Sequence, residues 1–200
     1  MRVSVTMAGA DLARARLEAI GRKVEPVLRG TMNTGATQTR KTQYLQPLSR
    51  IINAALVRER LVIKRANSRR LNARIIPSSS SVEVIRYASW GYDRIDATRG
   101  RIWVMGPSGR KVAAGFVNPS ASNPQPLSTR SSRARQVGPN TRNPERTSYT
   151  YRRALQNAQG PSIAYWFRQL TGSGTIRWVN AFLQQELERR IRREIARAGK

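Results

Sequence analysis

Between residues 58 and 74 the chain carries Arg58, Arg60, Lys64, Arg65, Arg69, Arg70 and Arg74, opposed only by Glu59. The chemistry open to such a run is the binding of anions, because guanidinium and ammonium groups hold phosphate or carboxylate oxygens through charge-assisted hydrogen bonds. A second cluster, Arg130, Arg133, Arg135, Arg142, Arg146, Arg152 and Arg153, lies in a stretch whose one acid is Glu145. No aromatic residue interleaves with the first run. Base stacking is therefore not expected there, and any contact with nucleic acid would be to phosphates, without sequence preference. A solvated cationic face, or salt bridges to an acidic neighbouring subunit, would use the same residues equally well.

Other chemistries find little support. The 11 acidic residues are scattered. The closest pairs, Asp93 with Asp96 and Glu186 with Glu188, are expected in a loop and on a helix that do not bring them together, whereas a metal-dependent nuclease needs clustered acids. The chain has no Cys and no His, which removes thiol nucleophiles, disulfides, imidazole bases and almost every transition-metal site. Gly106-Pro107-Ser108-Gly109 lacks the Lys-Ser/Thr ending and strand-to-helix setting of a phosphate-binding loop, and reads as a hairpin turn. Neither catalysis nor a cofactor is expected.

The 200 residues suit one domain, read here as residues 1–200, with a modest core. The formal charge of +26 draws the chain toward nucleic acid, acidic protein or anionic membrane, in a manner that added salt should weaken. No apolar run is long enough to cross a bilayer, and Met1 to Ala10 lacks the apolar centre of a signal peptide, so the expectation is a soluble protein made in a cytosol, without membrane partners.

These residues need a frame, and the hydrophobic pattern outlines one. Val3 and Val5 alternate with polar residues as in a short edge strand. Asp11 suits an N-cap, with Leu12, Ala15, Ala19 and Ile20 on one helical face. A second helix is predicted from about Pro26 to Leu45, with Val27, Leu28, Met32 and Ala36 inward and Pro47 stopping it. Ser49 would cap a third, carrying Ile51, Ile52, Ala55 and Leu56 and fading toward Lys64. The period then shortens. Residues 71–76 and 82–87 flank Pro77 and four serines as one hairpin, and 101–105 and 111–117 flank the Gly-Pro-Ser-Gly turn as another, with Ile102, Val104, Val112, Ala114 and Phe116 on one face. Between the hairpins, 88–99 reads as a loop or bulged strand extension whose aromatics pack structurally.

Residues 118–153 are rich in Pro, Ser, Asn and Arg and nearly free of aliphatics, so they read as an extended basic loop, ordered on assembly. After Gly160-Pro161-Ser162, a short helix carries Ile163, Trp166, Phe167 and Leu170. The apolar positions Ile176, Val179, Leu183, Leu187, Ile191 and Ile195 then predict a terminal amphipathic helix from about Thr175 to Ala198. The expected class is α+β: a four-stranded antiparallel sheet of two hairpins, flanked by N-terminal helices and a long C-terminal helix.

The order of these pieces resembles the lambda-type bacteriophage minor tail protein Z family, the tail completion proteins. The residues that carry the resemblance are the paired N-terminal helices, the basic stretch 57–66, Asn72-Ala73-Arg74-Ile75, the 102–117 hairpin and Gly160-Pro161-Ser162-Ile163. The stretch 118–159 departs from it, since the family has a shorter basic link there. The resemblance implies a virion protein at the head-proximal end of the tail, in a ring of copies of itself, commonly hexameric, around the DNA channel. Tail terminator or tail tube proteins, head-tail connector proteins and the DNA end then become its partners, and no reaction is implied. A tail terminator or head-tail adaptor ring protein, and a freestanding nucleic-acid-binding protein, are the alternatives.

Overall fold

The computed structural model describes residues 10–19, 21, 23–128, 136–140, 143–150 and 156–198. The chain forms two compact units, Met1–Ser80 with Ile163–Lys200, and Ser81–Ser162. Among the described residues the α-helices lie in the first unit and most of the antiparallel strands in the second, an α+β arrangement.

In the first unit, α1 (Ala10–Glu18) has Asp11 in its first turn, where the carboxylate meets the positive end of the helix dipole. Its buried marker is Leu17, fully inaccessible, whereas Ala15 and Ala19 are exposed; the face is thus rotated from the expected one. Helix α2 (Val24–Thr39) continues through a π turn, Arg40–Leu45, into α3 (Gln46–Leu48). Pro47 therefore does not stop the helix. A proline lacks the N–H for the i−4 bond and its ring presses on that carbonyl. The turn just before it is widened, with the Gln46 amide donating five residues back to the Lys41 carbonyl, and this widening accommodates the proline.

The buried stripe of α2 is Val24, Val27, Thr31, Gly35 and Thr39, with Leu28, Met32 and Ala36 only half-buried. This stripe packs on α6 (Ser173–Ala198), which buries Leu183, Glu186, Leu187 and Ile191. Leu17, Val24, Val27, Leu187 and Ile191 form one apolar cluster. Close approach depends on a small side: a Cβ added at Gly35 would stand 2.3 Å from a Leu183 methyl. Buried Thr31 satisfies its hydroxyl on the Val27 carbonyl at 2.9 Å. Farther along, Tyr44 stacks on Phe167 of α5 (Ile163–Leu170), with ring centroids 4.1 Å apart. The Tyr44 hydroxyl bonds Thr171 at 3.0 Å, while burial pushes its pKa up.

Helix α4 (Ala54–Arg60) is capped by Asn53, whose side-chain oxygen accepts from the amides of Ala55 and Leu56 at 3.0 and 3.3 Å. Ser49 is not the cap, and the helix ends at Arg60 rather than fading to Lys64. Leu61–Lys64 is instead a strand, β1, paired antiparallel with β2 (Arg74–Pro77). The predicted pairing of 71–76 with 82–87 does not occur. Two β-branched residues in succession, Val62-Ile63, favour extended backbone over helix.

The second unit holds the remaining strands. Strand β3 (Val82–Glu83) pairs with β11 (Gln159–Gly160), and a single 3-10 turn, Val84–Arg86, follows β3. Among the described residues the largest sheet has three strands, in the order β4 (Trp90–Arg94), β5 (Gly100–Gly106), β6 (Gly109–Val112). The expected four-stranded sheet of two hairpins is thus replaced by this meander and by two-stranded pairings. The segment read as a loop supplies β4, and Pro107-Ser108 forms the predicted turn, closed by Gly109 at φ 103°.

Ile102 and Val104 are fully buried as expected. Val112 lies opposite Trp103, on the other face, and is 59% exposed, so the buried partners after β6 are Ala113 and Val117. Gly115, at φ 141°, makes the irregularity: a Cβ there would come within 2.5 Å of the Leu127 carbonyl oxygen. Within 118–159, β7 (Leu127–Ser128) pairs with β10 (Gln156–Asn157), and β8 (Gln136–Asn140) pairs with β9 (Asn143–Thr150). This correction to the extended-loop expectation has a simple cause. Strand pairing uses backbone groups, as in the Ala158 amide on the Pro126 carbonyl at 2.8 Å, and needs few aliphatics. The strand expected at Val3 and Val5 lies outside the described residues.

Candidate anion-binding surface

The first basic run is gathered onto one supersecondary unit, the last turn of α4 followed by the β1–β2 ribbon. Arg58 and Arg60 occupy the final turn of α4, where cations complement the helix dipole. In the ribbon, Leu61 faces Pro77, Val62 faces Ile76, Ile63 faces Ile75 and Lys64 faces Arg74. Because side chains alternate across a strand, Lys64, Arg74, Val62 and Ile76 share one face. All four are exposed, whereas Leu61 on the other face is inaccessible.

The far end is turned by Asn67. Its side-chain oxygen accepts from the amides of Arg69 and Arg70 at 3.1 and 2.9 Å, and its backbone exchanges two hydrogen bonds with that of Arg70. This Asx geometry fixes the turn locally and leaves Arg65, Arg69 and Arg70 exposed at the tip.

Two side chains of the helix behind tie the ribbon down. The Asn33 amide nitrogen donates to the Ala66 carbonyl at 3.1 Å while its oxygen accepts from the Ala66 amide at 2.8 Å. Arg40 donates from Nε to the Leu61 carbonyl at 2.6 Å and from a terminal nitrogen to the Arg58 carbonyl at 2.7 Å. Arg40 is thus a structural cation that closes the C-terminus of α4. Both residues were missed from sequence; the available signal was that 33 and 40, seven apart, share a helical face.

Arg60 reaches back to the Ser80 carbonyl at 3.4 Å. Among the described residues, no carboxylate lies within ion-pair distance of Arg58, Lys64, Arg65, Arg69, Arg70 or Arg74. Like charges directly opposite across a ladder are unfavourable, so the Lys64–Arg74 pair costs the free protein stability. An anion between them would reverse that sign.

The second cluster is not brought to this surface by anything described. Arg130, Arg133, Arg135, Arg142, Arg152 and Arg153 lie outside the described residues, and Arg146 is described only as backbone of β9.

Elsewhere, acids meet arginines in pairs. Glu186, 6% exposed, accepts from Arg189 at 2.7 Å on both oxygens and from Arg190 at 2.7 Å, and Arg190 also reaches the Thr34 hydroxyl at 2.9 Å. The hydrogen bond from Arg189, with the charge of both arginines, holds the Glu186 carboxyl below its usual range. In the loop between β4 and β5, Asp96 accepts from the amides of Thr98 and Arg99 at 2.8 Å and from the Arg99 guanidinium at 2.6 Å, which brings its pKa to about 2. On the meander, Arg110 lies 4.2 Å over the Trp103 ring and 3.7 Å from Asp93.

The carboxylates noted in the sequence are therefore dispersed into structural contacts. No group of three or more potential metal ligands occurs among the described residues. No helix among them is long and apolar enough to cross a membrane. What this arrangement offers is a surface of exposed cations on a pinned ribbon, suited to binding a polyanion. Comparison with protein-family models, with curated proteins and with solved structures gives no match to this chain.

Proposed function

We propose that the chain is a structural virion protein of a long-tailed bacteriophage, of the minor tail protein Z type, that completes the head-proximal end of the tail and joins it to the head. In this reading copies of the chain form a ring around the DNA channel, between tail terminator or tail tube proteins and the head-tail connector, and the chain has no catalytic role. The family assignment rests on the order of sequence features described above. The observation that supports a docking role is the α4–β1–β2 unit, whose Arg58, Lys64, Arg65, Arg69, Arg70 and Arg74 have no carboxylate within ion-pair distance among the described residues, and whose frame is tied by Asn33 of α2 and Arg40 of the π turn that follows it. Exposed cations arranged in this way serve an anionic partner better than they serve the fold.

The test is charge reversal in the parent phage. Replacing Arg65, Arg69, Arg70 and Arg74 with Glu should leave heads and tails that form separately but fail to join, visible by electron microscopy as unattached tails. Particles that assemble and infect normally with these changes would sink the reading. A tail terminator or head-tail adaptor role predicts a different position in the neck, which electron cryomicroscopy of the particle distinguishes directly.

A further inference from the structure

We infer that the β1–β2 ribbon is a duplex-DNA clamp: it grips the phosphate backbone of double-stranded DNA through Lys64 and Arg74 on its exposed face and Arg65, Arg69 and Arg70 at its tip. The inference rests on the docking role proposed above and names the partner of that surface.

Several features favour DNA over an acidic protein. From Arg60 through Val82 the sequence contains no acid at all. A face made to read another protein gains specificity from mixed charges placed opposite their complements, whereas a uniform cationic strip suits a uniform line of phosphates. The remaining polar residues of the ribbon, Asn67, Ser68 and Asn72, are small donors of the kind that contact phosphate and sugar.

The shape fits as well. A major groove about 12 Å wide admits a two-stranded ribbon. The Lys64–Arg74 juxtaposition sets two cations side by side across the ribbon, a repulsive arrangement that a phosphate between them converts into attraction. Val62 and Ile76, 52% and 39% exposed on that same face, would be covered by the sugars of a strand so held. The absence of aromatic residues from the ribbon points to duplex rather than single-stranded DNA, since single strands are gripped largely by stacking.

The experiment measures binding of the full chain to a random-sequence 20-base-pair duplex, and to one of its single strands, across a salt series. Each phosphate contact contributes a slope of about −0.9 in log K against log salt for duplex DNA. The variant Lys64→Gln/Arg69→Gln/Arg70→Gln/Arg74→Gln should lower the steepness of the slope by about 3 to 4. A control of equal charge change on exposed helical positions, Arg168→Gln/Arg177→Gln/Arg192→Gln/Arg193→Gln, should lower it by less than about 1. Arg69→Gln/Arg70→Gln alone, which touches only the tip, should lower it by about 2 and serves should the quadruple variant fail to fold.

Equal losses in ribbon and control variants would overturn the inference, since binding would then follow overall charge. Single-stranded DNA binding as tightly as duplex would overturn it too. Failure of tail joining by the Glu variants, with the slope unmoved by the Gln variants, would leave the proposed function standing and make the partner an acidic protein. Loss of slope with normal tail joining would sustain the clamp and remove the assigned role in the tail.

Discussion

The α2–α6 seam and the β1–β2 ribbon are both rich in arginine, and they treat it in opposite ways. In the seam, Arg189 and Arg190 converge on one nearly inaccessible carboxylate, and Arg190 continues to Thr34. In the ribbon, Lys64 and Arg74 face one another with no carboxylate within ion-pair distance among the described residues. The seam has spent its charge on the fold, while the ribbon leaves its charge to the solvent. A net charge of +26 is therefore not one property. Some of it is neutralised locally and is worth stability; Lys64 and Arg74 instead face each other at a cost to stability and stay exposed.

The widest separation between the two regions should come from the apolar part of the seam. Leu187, 4% exposed, packs in the cluster with Leu17, Val24, Val27 and Ile191. Leu187→Ala should cost about 3 kcal/mol, the sum of lost transfer energy and an incompletely filled cavity. Thermal unfolding followed by circular dichroism should show a fall of roughly 10 °C. Below the midpoint, DNA affinity should be unchanged, because the ribbon's cations are untouched. A stable Leu187→Ala variant would mean that α2 and α6 do not share the core described.

The next effect tests the neutralised charge itself. Glu186→Gln removes the charge that holds Arg189 and Arg190, and should cost about 2 kcal/mol. The cost stays below that of breaking a fully buried pair, because Arg189 and Arg190 retain 50% and 28% side-chain exposure and can be solvated. The pH dependence follows from the direction of the shift. The Glu186 pKa is lowered on folding from its usual 4.5, so its contribution is complete above that value and is lost as pH falls through the lower, folded-state one. Wild-type stability should therefore begin to fall as pH drops through the usual 4.5 and go on falling below it, and the Gln variant should show a flatter profile there. Parallel profiles would mean that Glu186 is not ionised in the folded seam.

How much of this contrast was legible beforehand depended on what each element signals. Helix α6 declared itself because Leu183, Leu187 and Ile191 repeat at helical spacing, and the Gly-Pro-Ser-Gly hairpin declared itself through its turn. The facing side of α2 did not, because Thr31, Gly35 and Thr39 are buried for being small, and a hydrophobicity pattern does not register smallness. The break at Arg60 was hidden by Leu61-Val62-Ile63, a run too short to distinguish helix from strand by period. Its partner, β2, reads from sequence as one arm of a hairpin with residues 82–87, because nearness in sequence favours that pairing. As for the surface, charge alone picked out its residues. The pairing of Lys64 with Arg74, and the anchoring by Asn33 and Arg40, are long-range consequences of register that no local pattern carries.

The smallest effect is also the one most particular to the ribbon. If Arg74 does nothing for the fold except repel Lys64, then Arg74→Thr should stabilise the free protein. It removes a like-charge cross-strand pair and installs a β-branched residue at an exposed strand position, together worth roughly 0.5 kcal/mol. The gain should be greatest at low ionic strength and shrink toward 0.5 M salt, since the repulsion is between exposed groups and is screened there. Urea unfolding at two salt concentrations reads it. The same substitution should lower the steepness of the DNA salt slope by about 1. Stability and binding would thus move in opposite directions at one residue, as expected where charge is kept at the expense of the fold for a partner. Were Arg74→Thr to destabilise the chain, Arg74 would belong with Arg189 and Arg190, among the arginines the fold needs, and the contrast between seam and ribbon would close.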